Sequence, residues 1–258
     1  MFSFYKKKDS NNIGKYKING KYKNIFLNYS DPTKVIENKV DKNDFDAIQF
    51  KSGECELEPF RTSGRKVIYL SAPSNAGKST LAGDFMRKYQ QKYPKNKIIL
   101  VTPENQKKNP DPCFKKVKFS QLLIDEDYCE NPMTLEELKN CLVIFDDIEG
   151  LPTKEISDEI YKLLKDILFL GRKRNISCIL CNHVIKNYSK TKGILIEADY
   201  IIIFPKMANA FIYNNLLEND LKFPKKVIKD IYSKPSRWII IHSKCPSYIF
   251  HQKGLFKI

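Results

Sequence analysis

The stretch "SAPSNAGKST", residues 71–80, decides how this chain folds. It has the spacing of a P-loop: a small residue, four arbitrary ones, then Gly-Lys-Ser. Such a loop works because consecutive backbone N–H groups curl around phosphates at a helix N-terminus. The Lys then reaches the β and γ phosphates, and the following hydroxyl binds Mg²⁺. That chemistry fixes Gly77, Lys78 and Ser79. The first position needs only to be small, so Ala72 is permitted where Gly is most often found. The competing reading is a Ser/Gly turn that binds nothing, and the context argues against it. "KVIYL" (66–70) is a β-branched and aromatic run, and "STLAGDFMRKYQQKY" (79–93) sets Leu81, Phe85 and Tyr89 at the fourfold spacing of an amphipathic helix. Strand, loop, helix is the order that a phosphate loop requires. Ala72, Pro73, Ser74, Asn75, Ala76, Gly77, Lys78, Ser79 and Thr80 are therefore the candidate nucleotide-binding residues, with ATP and Mg²⁺ as the expected cofactors.

A P-loop needs an acid at the end of a neighbouring buried strand to hold Mg²⁺. "CLVIFDD" (141–147) ends in two carboxylates. Asp146 is the expected metal-side acid, together with Ser79. Asp147 stands where ATPases that activate water usually carry Glu, and Glu149 is a rival for the base. A plain cap on the following loop is the other account of Asp147. Paired carboxylates favour a water-activating NTPase over many kinases, which hand the phosphate to a bound acceptor. Further on, "GRKRN" (171–175) holds two of only six arginines. Arg172 could face a neighbouring subunit and neutralise charge on the transferred phosphate, although a basic residue at a helix C-terminus also complements the helix dipole. "ILCNH" (179–183) ends the next strand in Asn182 and His183, where a polar sensor of the γ-phosphate is expected. Asn182, at the strand end, is the better candidate.

Outward from these motifs the chain reads as α/β. "KIILVT", "CLVIFDD", "ISCILCN" and "DYIIIF" are continuous apolar strands of the kind buried on both faces, which means a mainly parallel sheet. Ile156, Ile160, Leu163, Leu164, Ile167 and Leu168 line one face of a long helix that Gly171 suits as a terminator. "VKFSQLL" reads as a short strand, and "TLEELKN" as a short helix capped by Thr134. The tail adds an amphipathic helix around "PKKVIKDIYS" and a strand pair, "RWIIIHS" and "YIFHQK". Residues 1–62 form a small β-rich or partly disordered basic extension. Asn19-Gly20 between alternating segments signals a hairpin there, against the alternative of a basic arm. Residues 63–258 carry the P-loop domain.

The chain has 258 residues, enough for one large domain, and a formal net charge of +15. That charge favours anionic partners such as nucleic acid. The scarcity of Arg beside abundant Lys, Asn, Ile and Tyr is also what AT-rich coding produces. Seven cysteines without framework spacing read as reduced thiols. Cys178 and Cys181 lie in an apolar strand where positions three apart face opposite sides, so they read as core residues rather than a metal pair. No apolar run approaches the roughly 20 residues needed to span a bilayer. The expectation is a soluble intracellular protein with no membrane partner.

Taken together, strand-ending "FDD", a long helix closing in "GRKRNIS" and a strand with a polar end resemble the FtsK/HerA class of ATPases. Within it, the chain is most similar to the poxvirus-type genome-packaging ATPases of large nucleocytoplasmic DNA viruses, from about Val67 to Phe204. "SRWIIIHSKCPSYIFHQKG" also looks like the tail of giant-virus proteins of this kind. The resemblance implies a RecA-like core, a homo-oligomeric ring, and ATP-driven movement of duplex DNA, without regard to sequence, into a capsid. A capsid or portal partner, and a location in a viral factory of the host cytoplasm or in the virion, follow from it. Carried over by position, Lys78 and Ser79 bind phosphate and Mg²⁺, Asp146 is the second metal-side acid, and Asp147 is the catalytic acid. Arg172 is the finger, and Asn182 lies near the sensor. The chain departs from the pattern at Ala72 for Gly, at Asp147 for Glu, and at Asn182-His183 where Gln is usual. The rival readings are a nucleotide or nucleoside kinase, and a nucleotide-binding scaffold with little catalysis.

Overall fold

The computed structural model describes residues 1–6, 10–28, 47–62, 64–183, 185, 188–208, 210–244 and 247–258. Five strands come first: β1 (Phe2–Ser3), β2 (Ser10–Ile18), β3 (Lys21–Asn28), β4 (Ala47–Gln49) and β5 (Cys55–Leu57). From β6 (Val67–Ser71) the chain runs through α1 (Lys78–Lys92), β7 (Ile98–Val101), β8 (Ser120–Leu122), α2 (Glu126–Glu130) and β9 (Leu142–Asp146). It continues with α3 (Lys154–Leu170), β10 (Ser177–Asn182), α4 (Tyr188–Glu197), β11 (Tyr200–Ile203) and α5 (Ala210–Asn215). The last elements are α6 (Lys225–Ser233), β12 (Ile239–His242), β13 (Tyr248–His251) and β14 (Gly254–Lys257).

The main sheet has the order β4-β14-β13-β12-β11-β6-β10-β9-β7-β8. From β11 to β8 every pairing is parallel; from β11 to β4 every pairing is antiparallel. The inner parallel strands β11, β6, β10, β9 and β7 are buried at every position because both faces are covered, whereas β8 at the edge is polar and partly exposed. Successive residues then divide between two cores. Val67, Tyr69, Val143, Phe145, Cys178 and Leu180 join the core under α3 and α6. Ile68, Leu70, Leu142, Ile144, Ile179 and Cys181 join the core under α1. Cys178 and Cys181 thus face opposite sides, and both are free thiols in apolar surroundings.

The α1 face has a second cover. β1, β3, β2 and β5 form a separate sheet, and its Phe2, Ile13, Ile25, Leu27 and Leu57 pack into the same core as Phe85 and Met86. The Asn19-Gly20 turn joins β2 to β3 with both residues at positive φ, as the hairpin signal requires. β4 leaves this sheet and pairs with β14.

α3 buries the six residues expected of it and is capped by Thr153, whose hydroxyl accepts the Ile156 N–H. It ends where expected, with Gly171 as the C-cap, whose N–H donates to the Ile167 carbonyl. Gly171 has right-handed helical angles and opens a 3₁₀ turn, Gly171–Arg174, and Asn175 at φ 54° is the left-handed residue that stops it. Residues 135–140 form turns, not a helix. Thr134 and Glu137 still exchange capping bonds, with Thr134 N and Oγ1 at 2.8 and 2.7 Å from Glu137 Oε2. Asn140 at φ 58° then turns the chain out before a helix can grow. The C-terminal strand pair is extended by a third strand, β14. Among the described residues, no helix is long and apolar enough to cross a membrane.

Candidate nucleotide site

β6 ends at Ser71, and the chain turns through residues 72–77 into α1. Two backbone positions shape the turn: Asn75 at φ 62° and Gly77 at φ 106°. The second is open essentially only to glycine, and it aims the first N–H groups of α1 into the cleft. Ala72 and Ala76 are each 1 % exposed and sit in the α1 core. Ala72 is also tied by its N–H to the Asn182 carbonyl at 3.1 Å. Small residues are needed there because the loop is pressed on the sheet below it.

Lys78 is 6 % exposed. Its ammonium donates to the Ala72 carbonyl at 2.8 Å and the Pro73 carbonyl at 3.4 Å, and lies 3.2 Å from His183 Nδ1. An ammonium only donates, so Nδ1 must accept. The ring proton is then on Nε2, which lies 2.8 Å from Asp147 Oδ1. This second contact is close but poorly aligned, because that oxygen has no hydrogen bond of regular geometry. The His183 main-chain N–H donates to Glu149 Oε2 at 2.8 Å. One residue therefore touches the P-loop lysine and both candidate bases.

The strand order explains this convergence. β10 lies between the P-loop strand and the acid-bearing strand, with Asn182 level with Ser71 and Cys181 level with Asp146. Asp146 shares the parity of Leu142 and Ile144, so it faces the α1 side, where Lys78 and Ser79 are. Asn182 shares the parity of Cys178 and Leu180 and turns to the α3 side, 2 % exposed. His183, just past the strand end, is the residue of the pair that lines the cleft. Asp147 lines it too, held at φ 54° as the first residue beyond β9.

Asp146 is 8 % exposed, and its Oδ1 has no hydrogen-bond partner among the described residues. Burial, and then the Asp147 charge beside it, push its pKa up to about 7. A buried carboxylate with an unpartnered oxygen, opposite a loop hydroxyl, suits a divalent cation, and Ser79 with Asp146 could hold Mg²⁺ there.

The cleft holds about 770 Å³. Its front wall comes from the loop between β7 and β8, where Asp111 Oδ1 accepts the Cys113 N–H and Cys113 Sγ meets Thr80 Oγ1 at 3.4 Å. That loop lies so close to α1 that a Cβ on Gly83 would overlap the Cys113 carbonyl. Arg237, Trp238 and Gln252 form another wall. None of these was singled out from sequence. Arg237, as one of six arginines, carried the clearest signal.

Arg172 is elsewhere. It is exposed in the 3₁₀ turn after α3, before the N-terminal end of β10 and so at the opposite end of the strands from the P-loop. Arg174, two residues on, pairs with Glu136 at 2.6 Å.

No family model matches the chain. Over 200 residues it is 32 % identical to the uncharacterized protein V3 of Sputnik virophage, an overlap covering 74 % of this chain and 76 % of that protein. The chain belongs to the V3 family. Among solved structures, it is similar to B204, the DNA-packaging ATPase from Sulfolobus turreted icosahedral virus. That match has a TM-score of 0.50 at 12 % identity and covers 69 % of this chain and 93 % of B204. It is also similar to TcpA, the pCW3 conjugation coupling protein, solved in monomer form with ATPγS. There the TM-score is 0.52 at 13 % identity, over 95 % of this chain and 77 % of TcpA. Together with the strand order, these likenesses make the fold of this V3-family chain that of a RecA-like P-loop NTPase, as the sequence leads one to expect.

Proposed function

We propose that this V3-family chain is an ATP-hydrolysing P-loop NTPase that drives duplex DNA, without sequence preference, as a subunit of a homo-oligomeric ring in viral genome packaging. The observation that carries the chemistry is His183 bridging Lys78 and Asp147 beside a buried Asp146 whose Oδ1 is unpartnered among the described residues. The motor role is favoured by the fold shared with B204, a DNA-packaging ATPase, and TcpA, a conjugation coupling protein. The +15 charge favours the DNA partner.

In this reading the backbone N–H groups of residues 74–79 cradle the phosphates, and Lys78 moves from the Ala72 and Pro73 carbonyls to the β and γ oxygens. Ser79 and Asp146 would hold Mg²⁺, which would supply positive charge to neutralise the phosphates. Asp147 orients water and takes its proton. His183 keeps Lys78 and Asp147 in register before substrate arrives, and occupies the sensor position first assigned to Asn182. Glu149, bound to the His183 N–H, is the alternative base. Arg172 acts at the nucleotide of an adjacent subunit. Within residues 1–62, the β1-β3-β2-β5 sheet is an accessory layer on the α1 face of the ATPase domain, 63–258, and the working location is a viral factory or the virion.

The test is ATP hydrolysis by the purified chain with and without duplex DNAs of unrelated sequence. Stimulation by each DNA, falling steeply as salt rises, is expected. Hydrolysis that needs a nucleoside acceptor would make the chain a kinase, and folded protein that binds ATP without turnover would make it a scaffold. Lys78→Ala should fold normally and lose ATP binding. Unchanged affinity in that variant would remove the P-loop reading altogether.

A further inference from the structure

The cleft has two chemically different ends. Around Lys78, Ser79, Asp146 and Asp147 everything suits phosphate, cation and water. The wall built by the C-terminal hairpin does not. Arg237, just before β12, sends Nη2 to the Asn75 carbonyl at 2.9 Å, and its guanidinium stands 3.8 Å from where a Cβ on Gly77 would be. Its main-chain N–H donates to Gln252 Oε1 at 2.8 Å. Trp238 follows, half-buried, one indole face stacked on Phe250 at 5.6 Å and 17°. Trp238, Gln252 and Arg237 all line the same cleft as Lys78.

The sheet order says which end of a nucleotide meets this wall. β12 neighbours β11, which neighbours the P-loop strand β6, while β10 and β9 with their acids lie on the other side of β6. A triphosphate on the loop with its γ end toward Asp147 and His183 therefore extends its nucleoside toward the hairpin. A planar indole fixed from behind by Phe250, an amide whose Nε2 can donate while its Oε1 is held by the Arg237 N–H and Ser236 Oγ, and a guanidinium at the loop are what a heterocyclic base and its sugar can use.

We propose that Trp238, Gln252 and Arg237 form the nucleobase side of the site. The base stacks on the open face of Trp238, the Gln252 carboxamide reads its edge, and Arg237 locks the hairpin to the P-loop so that base and phosphates are gripped together. The larger ring of a purine gains more from this stack than a pyrimidine does. The proposal rests on the P-loop reading above, and the experiment separates the two.

Trp238 is the chain's one tryptophan, so intrinsic fluorescence reports on it directly. Mg²⁺-ATP, Mg²⁺-CTP and Mg²⁺-tripolyphosphate are titrated into the full chain, with competition against a ribose-labelled fluorescent ATP as a second readout. ATP should quench Trp238 saturably, whereas tripolyphosphate should displace the labelled ATP without quenching. Trp238→Ala should weaken ATP by roughly 5-fold to 150-fold, the range for one base–aromatic stack. Its affinity for tripolyphosphate should be unchanged, and Trp238→Phe should restore most of the loss. Gln252→Ala, which leaves the stack intact, should narrow the preference for ATP over CTP. ATP binding unchanged in Trp238→Ala, or equal quenching by ATP and tripolyphosphate, overturns the base subsite while leaving the P-loop standing. Failure of ATP and tripolyphosphate alike to bind overturns both readings.

Discussion

Removing the His183 side chain tests the link between the two halves of the chemistry. His183→Ala keeps the main-chain N–H bonded to Glu149, so the variant deletes only the imidazole. The ring is 35 % exposed, which makes a folding defect unexpected. What goes is one hydrogen bond to a charged group, at 3.2 Å from Lys78, and a close but oblique contact with Asp147. A hydrogen bond to a charged partner contributes about 1.5–3 kcal/mol. If that constraint acts on the transition state, kcat falls by roughly 10-fold to 150-fold. Partial exposure argues for the lower part of that range. ATP affinity should change little, because Lys78 retains the Ala72 and Pro73 carbonyls as anchors and the N–H cradle is untouched. Phosphate release at saturating ATP gives kcat, and binding of a non-hydrolysable analogue gives the affinity. A kcat within about twofold of the parent at unchanged affinity would refute the bridge. A large loss of affinity with kcat preserved would refute it equally, since the ring would then be serving ground-state binding.

The two candidate bases should separate: Asp147→Asn should bind ATP and stop hydrolysing it, while Glu149→Gln should keep most activity. The reverse pattern would move the base to Glu149. His251 gives a pH dependence of stability. It is the buried last residue of β13, its Nδ1 accepts the Lys253 N–H, and burial together with the Lys234 charge depresses its pKa to about 4. The unfolded chain, with a histidine near 6.5, binds the proton first as pH falls. The stabilising contribution is therefore complete above pH 6.5 and is lost on acidification through pH 4, by at most about 3 kcal/mol. Urea unfolding of the parent and His251→Leu between pH 4 and 7 measures it, and parallel slopes would show that His251 is not responsible. Arg172→Ala should bind ATP, assemble and hydrolyse poorly, and mixing it with Lys78→Ala should restore activity by pairing a sound loop with a sound finger. Absence of rescue in verified mixed assemblies would exclude a role across subunits.

Most of the frame is legible because its signals are local. The four central strands are runs of apolar residues too long and too β-branched to be anything but buried strand, and α3 repeats its apolar face without interruption. The P-loop is legible because its chemistry tolerates few substitutions. The segment between β7 and β8 is not, because it has no periodicity to read. Side-chain bonds to the backbone hold it, such as Gln121 Oε1 and Nε2 to Gln106 N at 2.9 Å and the Glu104 carbonyl at 2.7 Å. β4 is three residues long and exists only because β14, some two hundred residues later, supplies its partner. Register separates Asn182 from His183, of which His183 lines the cleft. Period-two alternation sends Asn182 to the α3 face, and only the residue past the strand end can turn toward the loop.

The same geometry restricts where Arg172 can act. α3 begins beyond the acids of β9 and runs 17 residues back along the sheet, about 25 Å at 1.5 Å per residue. Arg172 comes directly after it, and the six residues of β10 then return about 20 Å to the cleft. An arginine side chain spans only a fraction of that distance, so Arg172 cannot reach the phosphates bound by its own P-loop. Among the described residues the cations lining the cleft are Lys78, Arg87 and Arg237, of which Arg237 is committed to the Asn75 carbonyl and Arg87 pairs with Asp84 at 3.3 Å. Lys78 is then the described cation left to meet the charge that develops on the γ-phosphate, unless a second subunit brings its own. Any catalytic role for Arg172 is therefore also a statement about assembly. An isolated chain would hydrolyse slowly, and activity would rise with the concentration of the protein itself.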